Sequence, residues 1–276
     1  MSRWLSCRGR ELELGPKTLI MGILNVTPDS FSDGGAYITV ETAVQRARQM
    51  VLEGADIIDI GGESTRPGFE KISVEEELQR VIPVIEELER SIPVPISIDT
   101  YKAEVAKQAL LAGAHIINDV WGAKADPDMA KTAAEFDCPI ILTHNRTDMN
   151  YKHFIQDVVE DVQESIRLTK AAGVHSKQIV LDPGIGFAKT YEQNLWLMKH
   201  LHKLVELDYP VLLGTSRKSM IRHTLELPTE DLLEGTAATV ALGIAQGCEI
   251  MRVHDVQAMK RVAVMSDAII RRSGEA

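Results

Sequence analysis

Apolar residues in this chain gather in short runs that alternate with longer stretches of helical periodicity. The short runs are residues 19–26, 57–60, 95–98, 116–120, 140–142, 179–181, 211–213 and 250–253. Each is bounded by polar or turn residues and is rich in Ile, Leu or Val, as in a strand buried on both faces. Between them, residues 39–53, 74–90, 102–112, 128–136, 154–172, 191–201, 231–246 and 256–270 carry the spacing of amphipathic helices. Thr39 stands at a capping position, and the acidic run at 75–77 opens the second helix, where carboxylates are favoured. Gly54, Gly113, Gly173 and Gly247 each follow a helical run, where a left-handed residue ends the helix. Strand and helix alternating in this way require right-handed crossovers and a parallel sheet. The pattern predicts one α/β domain over residues 1–276, a (β/α)8 TIM barrel with residues 1–17 as an N-terminal extension. An open doubly wound sheet is the structural alternative.

A barrel of this kind gathers the residues that follow its strands at one rim. Those residues fall into three chemical groups. Asp99, Asn118 and Asp182 are acceptors and an amide set inside or directly after apolar runs, suited to a flat heterocycle with N–H donors and a carbonyl. The bland alternative is a hydrogen-bonded network of the barrel mouth. Arg66, Lys218, Arg252 and His254 form a cationic set suited to an anion such as phosphate. Arg252 and His254, two apart, point to the same side of a strand. Arg146 and Arg217 read instead as partners for surplus carboxylates. The third group is two loops, residues 25–35 and 61–68, rich in Gly and hydroxyl residues and able to meet a phosphate or a hydrated Mg2+. DPGIGF, residues 182–187, contains G-x-G without its continuation and is weak evidence for a nucleotide. His144 reads as structural, and Trp121, Trp196 and Met220 read as core.

Composition narrows the partners. A net charge of −10 argues against general binding to nucleic acid or an anionic membrane. Cys7, Cys138 and Cys248 lack any disulfide or zinc spacing, which suits a reduced cytoplasmic interior. No apolar run approaches the roughly 20 residues that span a bilayer, and the N-terminus lacks a signal-peptide core.

The motifs themselves resemble a known family. MGILNVTPDSFSDGG and IDIGGESTRPG are similar to the first and second signatures of the dihydropteroate synthases. ISIDT, IINDVWG, LDPGIGF, TSRKS and RVHD match the remaining motifs in order and spacing, from about residue 19 to 267. The resemblance implies a cytoplasmic, homodimeric, Mg2+-dependent enzyme of folate synthesis. It would join 6-hydroxymethyl-7,8-dihydropterin pyrophosphate to p-aminobenzoate, releasing pyrophosphate. It further implies that Asp99, Asn118, Asp182 and Lys218 hold the pterin, with Lys218, Asp99 and Asp182 closest to the chemistry. Thr65, Arg66, Arg252 and His254 would meet the pyrophosphate, and Asn25 would ligate the metal. Phe31, Pro67, Phe187, Lys218 and Ser219 resemble the walls of the p-aminobenzoate site, where sulfonamides also bind. Thr143 departs from the methionine common at that place, and Ala188-Lys189-Thr190 and His144-Asn145-Arg146 are further variants that remove no expected ligand. A methyltetrahydrofolate:corrinoid methyltransferase-type barrel would lack the two loops and the anion set. A non-catalytic pterin-binding paralogue would have lost Lys218, Arg252 or Asn25.

Overall fold

A computed structural model describes residues 3–27, 39–63 and 71–271. Two antiparallel strands open the chain, β1 (Arg3–Cys7) and β2 (Arg10–Leu14). Eight parallel strands follow: β3 (Leu19–Asn25), β4 (Ile57–Gly61), β5 (Ile96–Asp99), β6 (Ile116–Asp119), β7 (Ile140–Thr143), β8 (Ile179–Asp182), β9 (Leu212–Leu213) and β10 (Ile250–Val253). Their order is β8-β7-β6-β5-β4-β3-β10-β9, and a parallel bridge from Leu181 to Val211 joins the two outer strands, closing the barrel. The helices between and after them are α1 (Val40–Leu52), α2 (Val74–Ser91), α3 (Ala103–Leu111), α4 (Met129–Glu135), α5 (Phe154–Ala171), α6 (Tyr191–Lys199), α7 (His202–Val205), α8 (Ser219–Leu225), α9 (Leu233–Ala245) and α10 (Val256–Ile270).

Local chemistry sets the helix boundaries. The Thr39 hydroxyl accepts from the Thr42 amide, Ser73 accepts from Glu76, and Thr190 forms a reciprocal capping box with Gln193. Gly54, Gly113, Gly173 and Gly247 all take positive φ where their helices end. The predicted helix over 191–201 is α6, which ends at Lys199, and the short α7 and α8 lie in stretches left without a helix by the periodicity.

The strands separate two apolar regions. Alternate residues face outward, where Ile20, Ile58, Ile60, Ile98, Ile117 and Ile140 pack beneath the helices. The other parity faces the barrel axis. At the start of every strand but β5, whose first inward residue is Ser97, this inner layer is apolar: Leu19, Met21, Ile57, Ile116, Ile141, Val180, Leu212 and Ile250. The N-terminal hairpin closes that end. Leu5, Cys7, Leu12 and Leu14 join the same cluster, while Trp4, Ser6 and Glu11 face outward. Its two-residue turn, Arg8-Gly9, has both φ angles positive (50° and 94°), the geometry that matches the twist of a tight hairpin. Arg8 donates to the carbonyls of Leu110 and Ala114, and Arg10 pairs with Glu89, so the turn also fastens two helix ends. Within the predicted extension, the hairpin of residues 3–14 is thus a plug for the amino end of the barrel.

Candidate active site

Two residues further along the same inward face, the barrel changes character. Cross-strand register places Asp59 beside Ser97, Asp99 beside Asn118 and Gly61, and Thr143 beside Asp182. Arg252 follows Ile250 on β10. The period of two that points Ile57, Ile116, Val180 and Ile250 inward therefore points Asp59, Asn118, Asp182 and Arg252 inward as well. These polar groups form one layer at the carboxyl ends of the strands.

Arg252 ties the layer together. Its Nε lies 2.6 Å from Asp59 Oδ2 and its Nη2 lies 2.5 Å from Asp99 Oδ2. Asn118 Nδ2 donates to the same Asp59 oxygen at 3.1 Å. Asp59 is fully buried, and the strand run Ile-Ile-Asp-Ile hid it from the motif reading. A carboxylate inside an apolar run was the available signal. One guanidinium facing two carboxylates leaves the group with an excess negative charge. Burial holds the Asp99 carboxyl above its ordinary range; the guanidinium opposes that shift and Asp59 reinforces it. Among the described residues, Asp59 Oδ1, Asp99 Oδ1 and Ser97 Oγ have no hydrogen-bond partner although buried. Unpaired acceptors at a barrel mouth mark where a ligand's donors fit.

Asp182 and Arg252 sit at the same mouth. A Cβ placed on Gly214 would lie 3.8 Å from both Asp182 Oδ2 and Arg252 Cδ. Asp182 Oδ1 accepts from the Gly184 amide at 2.7 Å. Burial raises its carboxyl, with Lys218 pulling it back. Asn25 and Asp99 flank Gly61, whose hypothetical Cβ would sit 3.6 Å from Asn25 Oδ1 and 3.8 Å from Asp99 Oδ2. A side chain at Gly61 or Gly214 would occupy the space these groups face.

Lys218 enters from the loop after β9 as the residue before α8. Its Nζ donates to the Ile185 carbonyl and lies 4.5 Å from the centre of the Phe187 ring. Burial pulls this ammonium down to about 8, and Asp182 opposes the shift. Ser219 opens α8 and borders a groove of about 440 Å³ that also has Lys189 and Arg222 on its wall. The His254 ring nitrogen Nδ1 lies 3.0 Å from Ser216 Oγ. Asn25, Asp99, Asn118, Asp182, Lys218 and Arg252 thus gather at the carboxyl end of one barrel, with Phe187 and His254 on loops after β8 and β10 and Ser219 at the start of α8. Phe31, Thr65, Arg66 and Pro67 lie outside the described residues.

Several sequence expectations sharpen here. Arg252, grouped with the cations for an anion, is held against two carboxylates; among the described residues only its Nη1 carries no such bond. Arg217 pairs with Asp255 and Arg146 with Asp161, as their ion-pair reading anticipated. His144 is buried between Asp161 and Lys189, and burial pushes the His144 imidazole down to about 4. Lys189, which the sequence marks only as part of a variant, is buried as well, and burial pulls it down to about 7. Trp196 is a correction: it is 52% exposed on α6, because the apolar stripe of that helix falls on Leu197 and Met198 instead.

A barrel mouth with paired acceptors, an amide and cations defines a pterin-binding type of enzyme site. Residues 21–254 match the family of pterin binding enzymes. The dihydropteroate synthase of Bacillus subtilis is 57% identical over 258 residues, covering 94% of this chain and 90% of that protein. That of Clostridium beijerinckii is 54% identical, covering 95% and 98%. The solved Clostridium difficile dihydropteroate synthase, determined in the presence of pteroic acid, superposes with a TM-score of 0.91 at 49% identity, covering 94% and 99%. The chain belongs to the dihydropteroate synthase family of pterin-binding enzymes.

Proposed function

We propose that this protein condenses 6-hydroxymethyl-7,8-dihydropterin pyrophosphate with p-aminobenzoate, giving 7,8-dihydropteroate and pyrophosphate. The observation that carries this reading is the single polar layer in which Asp99, Asn118 and Asp182 stand beside Lys218 and Arg252. The acceptors take the N–H edge of the pterin, and Asn118 and Lys218 take its carbonyl and ring nitrogen side. Carboxylates close to the ring favour positive character on it as the pyrophosphate leaves the methylene carbon, a dissociative path. The arylamine nitrogen then attacks that carbon, held in line by Phe187 and Ser219. His254, together with Thr65 and Arg66, would meet the departing diphosphate. Phe31 and Pro67 would complete the aminobenzoate wall.

Mg2+ belongs to this proposal. Asn25 offers one neutral amide oxygen at the end of β3, and among the described residues no cluster of three His, Cys, Asp or Glu encloses a cation. That donor set fits a hard ion that keeps its waters and takes its other oxygens from a diphosphate. When bound, it would neutralise the leaving group's charge. We further propose a homodimer through α9 and α10, whose Leu242, Val264, Met265 and Ile269 are each more than half exposed. No described helix is long and apolar enough to cross a membrane, and the free buried cysteines fit a reducing cytoplasm.

A coupled assay for pyrophosphate release tests the reading. Release should require both the pterin pyrophosphate and p-aminobenzoate. Turnover with methyltetrahydrofolate as donor, or pterin binding without release, would replace it with one of the two rival readings.

A further inference from the structure

The loop between β8 and α6 has no ladder to hold it. Gly184, Gly186 and Ala188 take φ of 68°, 86° and 46°, so every second residue is left-handed. A Cβ on Gly184 would come within 1.9 Å of the His144 carbonyl oxygen, so the turn tolerates only glycine there. Carbonyls in such a loop need donors from elsewhere.

Lys189 supplies them. Its side chain folds back under the loop, and its Nζ lies 2.9 Å from the Gly184 oxygen and 2.9 Å from the Phe187 oxygen. The third partner is His144 Nδ1 at 2.8 Å. An ammonium has three protons, and here it meets three close acceptors, with the His144 carbonyl oxygen farther off at 3.5 Å. The histidine is fixed in its turn, because its Nε2 lies 2.9 Å from Asp161 Oδ2, which also takes the Arg146 guanidinium at 2.5 Å. An Nε2–H donating to that carboxylate leaves Nδ1 free to accept. On its other side the same loop faces the site. The Ile185 carbonyl receives Lys218, and the Phe187 ring lies beneath the Lys218 ammonium.

We propose that Lys189 is a positioning residue, whose bonds to the Gly184 and Phe187 carbonyls hold Phe187 against Lys218 and so set the arylamine side of the site. This rests on the reading that Phe187 walls the aminobenzoate pocket. On the pterin side, Asp99, Asn118 and Asp182 are strand residues that Lys189 does not bond, and only Lys218 rests on the same loop, through the Ile185 carbonyl, so the aminobenzoate side responds more to its loss.

The test is the pair of KM values in two variants. Lys189→Met keeps the stem and removes all three donors. It should raise the KM for p-aminobenzoate at least about tenfold and leave that for the pterin pyrophosphate within about twofold. Lys189→Gln retains two N–H donors and should raise the aminobenzoate KM by about two- to fivefold, again alone. Should the methionine variant fail to fold, the glutamine variant decides. Equal rises in both KM values, or none in a folded variant, overturn the proposal while wild-type turnover leaves the functional reading intact. No product from the wild-type chain defeats that reading, and this inference with it.

Discussion

The two ends of this barrel are made by the same strands and differ in kind. At the amino end, Ile57, Ile116, Val180 and Ile250 meet the hairpin residues Leu5, Cys7, Leu12 and Leu14 in a dry cluster. Two residues later, the same inward face presents Asp59, Asn118, Asp182 and Arg252. The apolar end contributes stability by removing surface from water. The polar end concentrates groups that cost free energy to bury and gain it back only when paired. Binding chemistry has been placed where burial is least favourable, and the plug at the far end is part of what offsets it.

The largest effect should come where the two roles meet. Arg252→Met leaves Asp59 and Asp99 buried without their cation, so unfolding free energy should fall by about 3–5 kcal/mol. Turnover should fall by about a hundredfold or more, since the charge that fixes Asp99 is lost. Denaturant unfolding and steady-state kinetics check both; a stable, active variant would break the comparison. At the plug, Leu14→Ala should cost about 2–5 kcal/mol and leave both KM values unchanged. A shift in either KM would mean the two ends are coupled.

Acid should act chiefly away from the mouth. Burial lowers His115 and His144 from 6.5 to about 4 in the folded protein. His115 is faced by Arg8, Arg10 and Glu89; His144 is faced by Lys189, Asp161 and Lys124. A histidine that resists protonation when folded gives its full stability above its unfolded value. That stability declines as pH falls from 6.5 toward about 4, by up to about 3 kcal/mol for each group. The melting temperature should therefore drop through that window, and His115→Gln should flatten the drop. The smallest effect belongs to Ala188, whose φ of 46° is left-handed. Ala188→Gly should stabilise by at most about 1 kcal/mol and leave KM for p-aminobenzoate unchanged.

Much of the barrel was readable because its strands are short apolar runs at regular intervals. All eight appear, and β10 has the predicted bounds. The common error is one of extent: β5, β7 and β8 each include one polar residue more, namely Asp99, Thr143 and Asp182. That residue ends the apolar run yet still pairs in the ladder, which is why it points into the mouth. The hairpin was missed although Leu5, Cys7, Leu12 and Leu14 alternate around Arg8-Gly9, because its apolar pairs are sparse. Helix α8 was missed because only Met220 and Ile221 are buried along it. Asp59 and Lys189 escaped because partners from distant strands and loops, invisible in local spacing, give them their roles.

The central claim, that one mouth grips the pterin ring through its carboxylates, is tested most directly by pterin affinity in the wild-type protein and in Asp182→Asn. Titration with 6-hydroxymethylpterin should show binding weakened about 10- to 100-fold in the variant, the loss of a charge-assisted pair of bonds. Equal affinity for the two proteins would contradict the account.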